Sequence, residues 1–261
     1  MTRRHGLPIL ATAFVIAVLA GPLLVLAVQA VAKAWFYPQV VPSTWTLTPL
    51  ARLAQSPPIR QAVATSLAVS TAATVLSLAL AIPAARAIAV GTAGRRLAVV
   101  FAIPVVLPPL ALAMGLDVVF LRAGFALGAV TVTLAHLVAT LPYAVLLLSA
   151  ALLRYDTGYE RQALALGASR SAVLFRVFLP LAMPAIAVSA ALTFLVSWGQ
   201  YLLTLLPGGG ATTTLPVLVL AAVRGGNPAA GAALALVAAV PPMVAIVAVT
   251  RHLERPLGAV A

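Results

Sequence analysis

The chain has 261 residues, of which 63% are hydrophobic and only 8% charged, with a mean hydropathy of +1.14. A soluble globule of this size needs more polar surface, so the composition points to a membrane protein. Sixteen Lys and Arg against four acids give a net charge of +12, but basic residues clustered between apolar runs report topology rather than nucleic acid; the absence of cysteine excludes disulfides, thiol catalysis and Cys-ligated metal together.

Arg3 and Arg4 precede an uncharged run from Leu7 to Ala32. Its layout imitates a signal peptide, with Ala30-Val31-Ala32 before Lys33, yet it exceeds the roughly 7–15 residues of a signal core and reaches the about 20 needed to cross a bilayer. It is read as an uncleaved first span, residues 7–32. Residues 33 to 58 hold Trp35, Tyr37, Trp45 and the prolines Pro38, Pro42, Pro49, Pro57 and Pro58, which predicts a non-helical outer loop with interfacial aromatic anchors.

Span two is expected at about 59–85, followed by Arg86, Arg95 and Arg96. Span three, about 97–121, contains Pro104, Pro108 and Pro109, so its backbone hydrogen bonding is interrupted. Span four is expected at about 128–153 with Pro142 inside it, and a polar stretch at 154–180 separates it from span five, about 181–206. After Gly208, Gly209 and Gly210 the apolar run Thr212–Val223 is too short to cross and reads as an interfacial or re-entrant helix. Span six is expected at about 229–249, with Pro241-Pro242 inside. The fold class is therefore an all-α membrane protein of six transmembrane helices in one domain spanning 1–261.

With the N-terminus inside, eleven basic residues fall on the inner side (Arg3, Arg4, Arg86, Arg95, Arg96, Arg154, Arg161, Arg170, Arg176, Arg251, Arg255) and five outside (Lys33, Arg52, Arg60, Arg122, Arg224). That asymmetry assigns both termini and the 154–180 stretch to the cytoplasm.

Polar side chains in a span cost free energy unless they face protein or a wet cavity. Ser66, Ser70, Thr74 and Ser77 stripe span two, Thr133, His136, Thr140 and Tyr143 stripe span four, and Ser189, Thr193, Ser197, Gln200 and Thr204 stripe span five, each at one-face helical spacing. Spans two to five are thus the expected core, with one and six nearer lipid. A small-residue packing seam explains the stripe of span two. His136, Tyr143, Trp198, Gln200 and Tyr201 are large for such a seam, so Thr133, His136, Thr140, Tyr143, Ser197, Trp198, Gln200 and Tyr201 are candidates for a solvated pathway wall. Asp117, the one acid near a span, either pairs with Arg122 or contacts a cationic substrate. His136 has no second His or acid at ligand spacing, so no metal site is expected, and no catalytic constellation is present.

Within 154–180, Thr157-Gly-Tyr-Glu160 fits a capping box, with Glu160 reaching back to the Thr157 amide. A short helix from Gly158 to about Leu166 should stop at Gly167, and Ser169 should cap a second through Phe178, ended by Leu179-Pro180. Tyr159-Glu160-Arg161-Gln162-Ala163-Leu-Ala-Leu166-Gly167-Ala168-Ser169 followed by Val177-Phe-Leu179-Pro180 resembles the EAA loop of permease subunits in binding-protein-dependent ABC importers, a family of MetI-like fold. The glycine to Leu-Pro spacing agrees. Aligned on Gly167, the family's Glu and first Ala stand as Arg161 and Gln162, and the acid occurs one residue earlier, at Glu160.

The resemblance implies that Thr157, Tyr159, Glu160, Arg161, Ala163, Gly167, Ala168, Ser169, Leu179 and Pro180 couple this chain to a cytoplasmic ABC ATPase dimer. It implies further partners: a second permease subunit, identical or a paralogue, and an extracytoplasmic substrate-binding protein, in a bacterial-type cytoplasmic membrane with its lipid. No GxxxxGK[ST] occurs in the chain, so ATP and Mg belong to the partner and no cofactor is expected here. The Leu-Gly-Ala-Ser form of the loop is more similar to permeases for polyamines, ferric iron, thiamine or phosphorus and sulfur oxyanions than to the sugar branch. A sugar-type permease is the alternative within the family. An ion-coupled secondary transporter is the alternative outside it, and would place ionisable groups at midplane, where only His136 qualifies.

Overall fold

The computed structural model describes residues 6–35, 38–91 and 94–254. Arg3, Arg4, Tyr37 and Arg255 lie outside the described residues. The chain divides into two compact units, residues 1–63 with 214–240, and residues 64–213 with 241–261.

In the first unit, α1 (Gly6–Ala30) leads into a two-stranded antiparallel ribbon of β1 (Ala32–Ala34) and β2 (Thr44–Trp45), then α2 (Thr48–Gln55). The outer loop was expected to be non-helical, and α2 corrects that. Thr46 supplies the local reason: its hydroxyl accepts the Thr48 amide at 3.2 Å, which starts the helix well ahead of the proline pair. Pro57 and Pro58 then occupy the first turn of α3 (Pro57–Val90), where a missing amide proton has no helical acceptor to lose. Ala30, Ala232 and Ala233 pack with Leu26, Leu53 and Leu236 as this unit's core. A cleft of about 830 Å³ lies beside it, lined among others by Lys33, Trp45, Thr48, Gln55 and Asn227. The helix expected between the glycines and span six is α11 (Leu215–Arg224), ten residues and too short to cross a bilayer.

The second unit carries the rest of α3, the elements that follow it up to residue 213, and the C-terminal part of the last helix. The expected span three is two helices, α4 (Gly94–Val106) and α5 (Pro109–Arg122), meeting at 101°. Pro108 is extended (φ −55°, ψ 135°) and Pro109 opens α5, so the residues before each proline are driven out of the helical region and the axis turns there. Helix α6 (Ala129–Leu152) absorbs Pro142 without a break. Then come α7 (Gly158–Ala165), α8 (Arg170–Val173), a π turn at Leu174–Phe178, α9 (Leu179–Trp198) and the one-turn α10 (Leu202–Leu205). Span five therefore ends at Trp198, eight residues before the expected boundary, because the chain turns at Gly199–Tyr201.

Pro180 also departs from expectation: helical structure runs from Arg170 through Trp198. The π turn explains this. The Leu179 amide bonds the Leu174 carbonyl, so the wide turn immediately precedes Pro180 and gives its ring room that a regular α-turn would deny. The last span is α12 (Pro228–Glu254), which continues through Pro241-Pro242.

Four of these helices are long and apolar enough to cross a membrane, and the bent α4–α5 pair passes the same test together, as a broken span or a re-entrant loop. The apolar part described in α1, Phe14–Ala30, is shorter than that test requires, so the six-span expectation rests on α1 and on the bent pair together. Half of the α6 span is buried, against a third of the α3 span and 17% of the α9 span, which makes α6 the central helix of its unit. Ala81 and Ala85 of α3, Ala144, Val145 and Leu148 of α6, and Phe178 and Ala182 at the foot of α9 form the main core. Alanine at the contact lets helix backbones approach closely, the source of packing energy where lipid is as apolar as the protein.

Candidate functional site

The polar stripes converge inside this unit. Ser66, Ser70, Thr74 and Ser77 of α3, Thr140 and His136 of α6, and Ser189, Thr193 and Ser197 of α9 are all at most 8% exposed. The Thr140 hydroxyl donates to the His136 carbonyl at 2.8 Å, so it is Ser77 that donates to Thr140, at 2.7 Å. Both ring nitrogens of His136 are engaged, Nδ1 with the Ser197 hydroxyl at 2.9 Å and Nε2 with the Thr204 hydroxyl at 3.0 Å. In a neutral imidazole one nitrogen donates and the other accepts, and two hydroxyls satisfy either tautomer. The Thr193 hydroxyl donates to the Ser189 carbonyl within α9.

The residues suggested for a pathway wall therefore divide. His136, Thr140, Ser197 and Trp198 are buried, the last stacked on Phe194 at 5.6 Å between ring centres. Thr133, Tyr143, Gln200, Tyr201 and Asp117 are half-buried. Among the described residues, Asp117 forms no ion pair with Arg122, so the pairing reading is not borne out there. His136 has no second ligand beside it, and no group of three or more His, Asp or Glu occurs among the described residues.

The 154–180 loop is built as two short helices around a tight turn. The Gly167 amide bonds the Leu164 carbonyl and the Ala168 amide bonds the Ala163 carbonyl, both at 3.0 Å, with Gly167 at φ +88°. This is a Schellman ending, and the positive φ is what requires glycine. No atom lies within 4 Å of the position a Gly167 Cβ would take. Ser169 caps the second helix as expected, its hydroxyl accepting the Ala172 amide at 3.2 Å.

The capping box does not form. Thr157 is helical (φ −68°, ψ −7°) and makes no side-chain cap. Asp156 takes over, its carboxylate accepting the Gly158 amide at 2.7 Å. This frees Glu160 to turn inward, where its Oε2 pairs with Arg86 Nη2 at 2.9 Å. The Arg86 guanidinium lies 4.1 Å from the centre of the Phe178 ring, and Tyr155 meets the same ring edge-on at 5.6 Å. Burial, and then the Glu160 carboxylate beside it, push the Tyr155 phenol up to about 12.

Arg86, Tyr155, Asp156 and Phe178 were not singled out in the sequence. Arg86 registered only as a topology marker, and Phe178 only as a helix boundary. The opposite side of the loop is open: Tyr159 is 55% exposed, Leu166 88% and Phe175 65%.

Residues 73–257, well over half of the chain, match the family of binding-protein-dependent transport system inner membrane components. The chain belongs to that family. Its described relatives in that family are transport permease subunits, and its several apolar helices fit the family's place as an inner membrane component.

The permease is 34% identical over 90 residues to the spermidine/putrescine transport system permease protein PotC of Escherichia coli, an alignment covering 34% of each chain. It is 32% identical over 167 residues to the molybdenum transport system permease protein ModB of Mycobacterium tuberculosis, covering 59% of this chain and 63% of that one. The permease thus spans about a third of the length of the first relative and less than two thirds of the second. A bacterial alginate ABC transporter, solved in complex with alginate pentasaccharide-bound periplasmic protein, has a chain of the same fold, with a TM-score of 0.64, 16% identity, and 95% of this chain and 92% of that one covered.

Proposed function

We propose that the permease forms half of a solute pathway with a second permease subunit, its termini and the 154–180 loop in the cytoplasm, and that this loop docks on an ATPase supplying ATP and Mg from outside this chain. The observation that carries the reading is the outer face of the loop. Tyr159, Leu166 and Phe175 are exposed on a segment that the positive-inside rule keeps out of lipid, and apolar side chains grouped in water mark a protein contact. The space beside Gly167 has the same meaning, since a partner backbone can approach there.

Substitution of Leu166 by Asp tests this. The ATPase should no longer copurify with the permease, whereas the permease should still reach the membrane. Unchanged ATPase recovery would refute docking at this turn.

For the solute we infer a small polyamine-like cation delivered by an extracytoplasmic binding protein. Support comes from the likeness to PotC and from Asp117, an acid on the bent α4–α5 pair with no ion-pair partner among the described residues. An oxyanion is the second reading, favoured by the longer alignment with ModB. Thermal shift of the cognate binding protein against spermidine, putrescine, thiamine, ferric iron, molybdate, sulfate and a sugar panel separates these readings. A shift with molybdate and none with amines would overturn the cation.

A further inference from the structure

We infer that Arg86 is a positioning residue for ATPase coupling: it fixes the loop helix α7 and the foot of α9 to the inner end of α3, so that all three move together when the loop is driven. This rests on the docking role proposed for the loop and names how the push leaves it.

Three elements converge on one side chain. Arg86 stands near the end of α3, its Nη2 donates to Glu160 of α7 at 2.9 Å, and its guanidinium face covers Phe178 just before α9. Phe178 is 1% exposed and belongs to the main core with Ala81 and Ala85, so the ring is an immobile seat. Among the described residues this is the only salt bridge.

Shielding gives the contact weight. The Glu160 side chain is 15% exposed against 37% for that of Arg86, and its second oxygen, Oε1, and the hydroxyl of neighbouring Tyr155 are both closed to solvent. A carboxylate turned inward in this way is not a docking charge for the ATPase. It is the internal end of a strut, and losing Arg86 would leave a half-buried negative charge unpaired. Lysine would supply a charge but not the planar group that both bonds a carboxylate and stacks on a ring.

The test uses the assembled transporter in liposomes, with its ATPase and binding protein, and reads substrate-stimulated over basal ATP hydrolysis. Arg86→Gln and Glu160→Gln should each lower that ratio by on the order of tenfold, the scale of losing one charged hydrogen bond. The exchanged pair, Arg86→Glu with Glu160→Arg, should recover a substantial part of it. A topological role for Arg86, or an ATPase-facing role for Glu160, gives no recovery.

Where the exchanged pair fails to accumulate, a cysteine pair decides. The chain has no cysteine of its own, so Arg86→Cys with Glu160→Cys can be bridged by a short bifunctional thiol reagent. Bridging should restore stimulation lost in the unbridged pair. Failure to bridge, or a bridged transporter that is arrested, overturns the strut, as do single variants with normal stimulation. If the unaltered transporter shows no ATP-driven uptake, the docking reading itself fails, which is a separate result.

Discussion

Ser197 stands in the last turn of α9 and His136 in the first half of α6, and their side chains meet at 2.9 Å inside the buried seam. Through its other nitrogen the same ring holds Thr204, beyond the turn at Gly199–Tyr201. One imidazole thus staples both sides of the break in span five. Replacement by Phe keeps the bulk and removes both bonds. Its expected cost is about 1–3 kcal/mol, since hydrogen bonds inside membrane bundles contribute less than buried ones in soluble proteins. His136→Gln should recover part of this in a thermal denaturation series in detergent.

The two loop hydroxyls should behave differently. Ser169→Ala removes a cap that exists and is expected to cost about 1 kcal/mol of local stability. Thr157→Ala removes none, because Asp156 holds that helix start. Hydrogen exchange of residues 158–173 reads the difference: faster exchange for the first variant, unchanged exchange for the second.

At Gly167 the backbone conformation, not crowding within the chain, excludes other residues. Gly167→Ala should destabilise the turn by roughly 1–2 kcal/mol, and Gly167→Asn by less. Gly167→Asp adds a charge to the open side and is expected to uncouple ATP hydrolysis from transport while the protein stays in the membrane. Normal transport in that variant would count against a partner at this turn.

Alkaline pH should act on the loop through Tyr155. Its folded value of about 12 exceeds the ordinary 10.0, so the neutral phenol is favoured in the folded state. The stability this contributes is complete below pH 10 and is lost as pH rises through 12. Stability measured from pH 8 upward should fall more steeply above pH 10 in the unaltered protein than in Tyr155→Phe.

Much of this was legible in the sequence because it depends on local pattern. Apolar runs located the helices, glycine at 167 marked the end of α7, and Ser169 marked the start of α8. What the sequence could not show was which partner wins when several are within reach. Glu160 fits a capping box by spacing, but Asp156 holds the helix start through the Gly158 amide instead, and Arg86, far away in sequence, claims the Glu160 carboxylate. Pro180 reads as a helix end by rule, and only the π turn before it reverses that. The large polar side chains of spans four and five pointed to water, whereas His136 finds both its partners on neighbouring elements.

The most direct test of a permease driven by a separate ATPase is uptake into liposomes containing the full transporter, with the binding protein outside and ATP enclosed. The expected result is accumulation that requires both ATP and an ATPase competent to hydrolyse it, with hydrolysis stimulated by the loaded binding protein. Accumulation that persists with a hydrolysis-dead ATPase and follows an imposed ion gradient would contradict it.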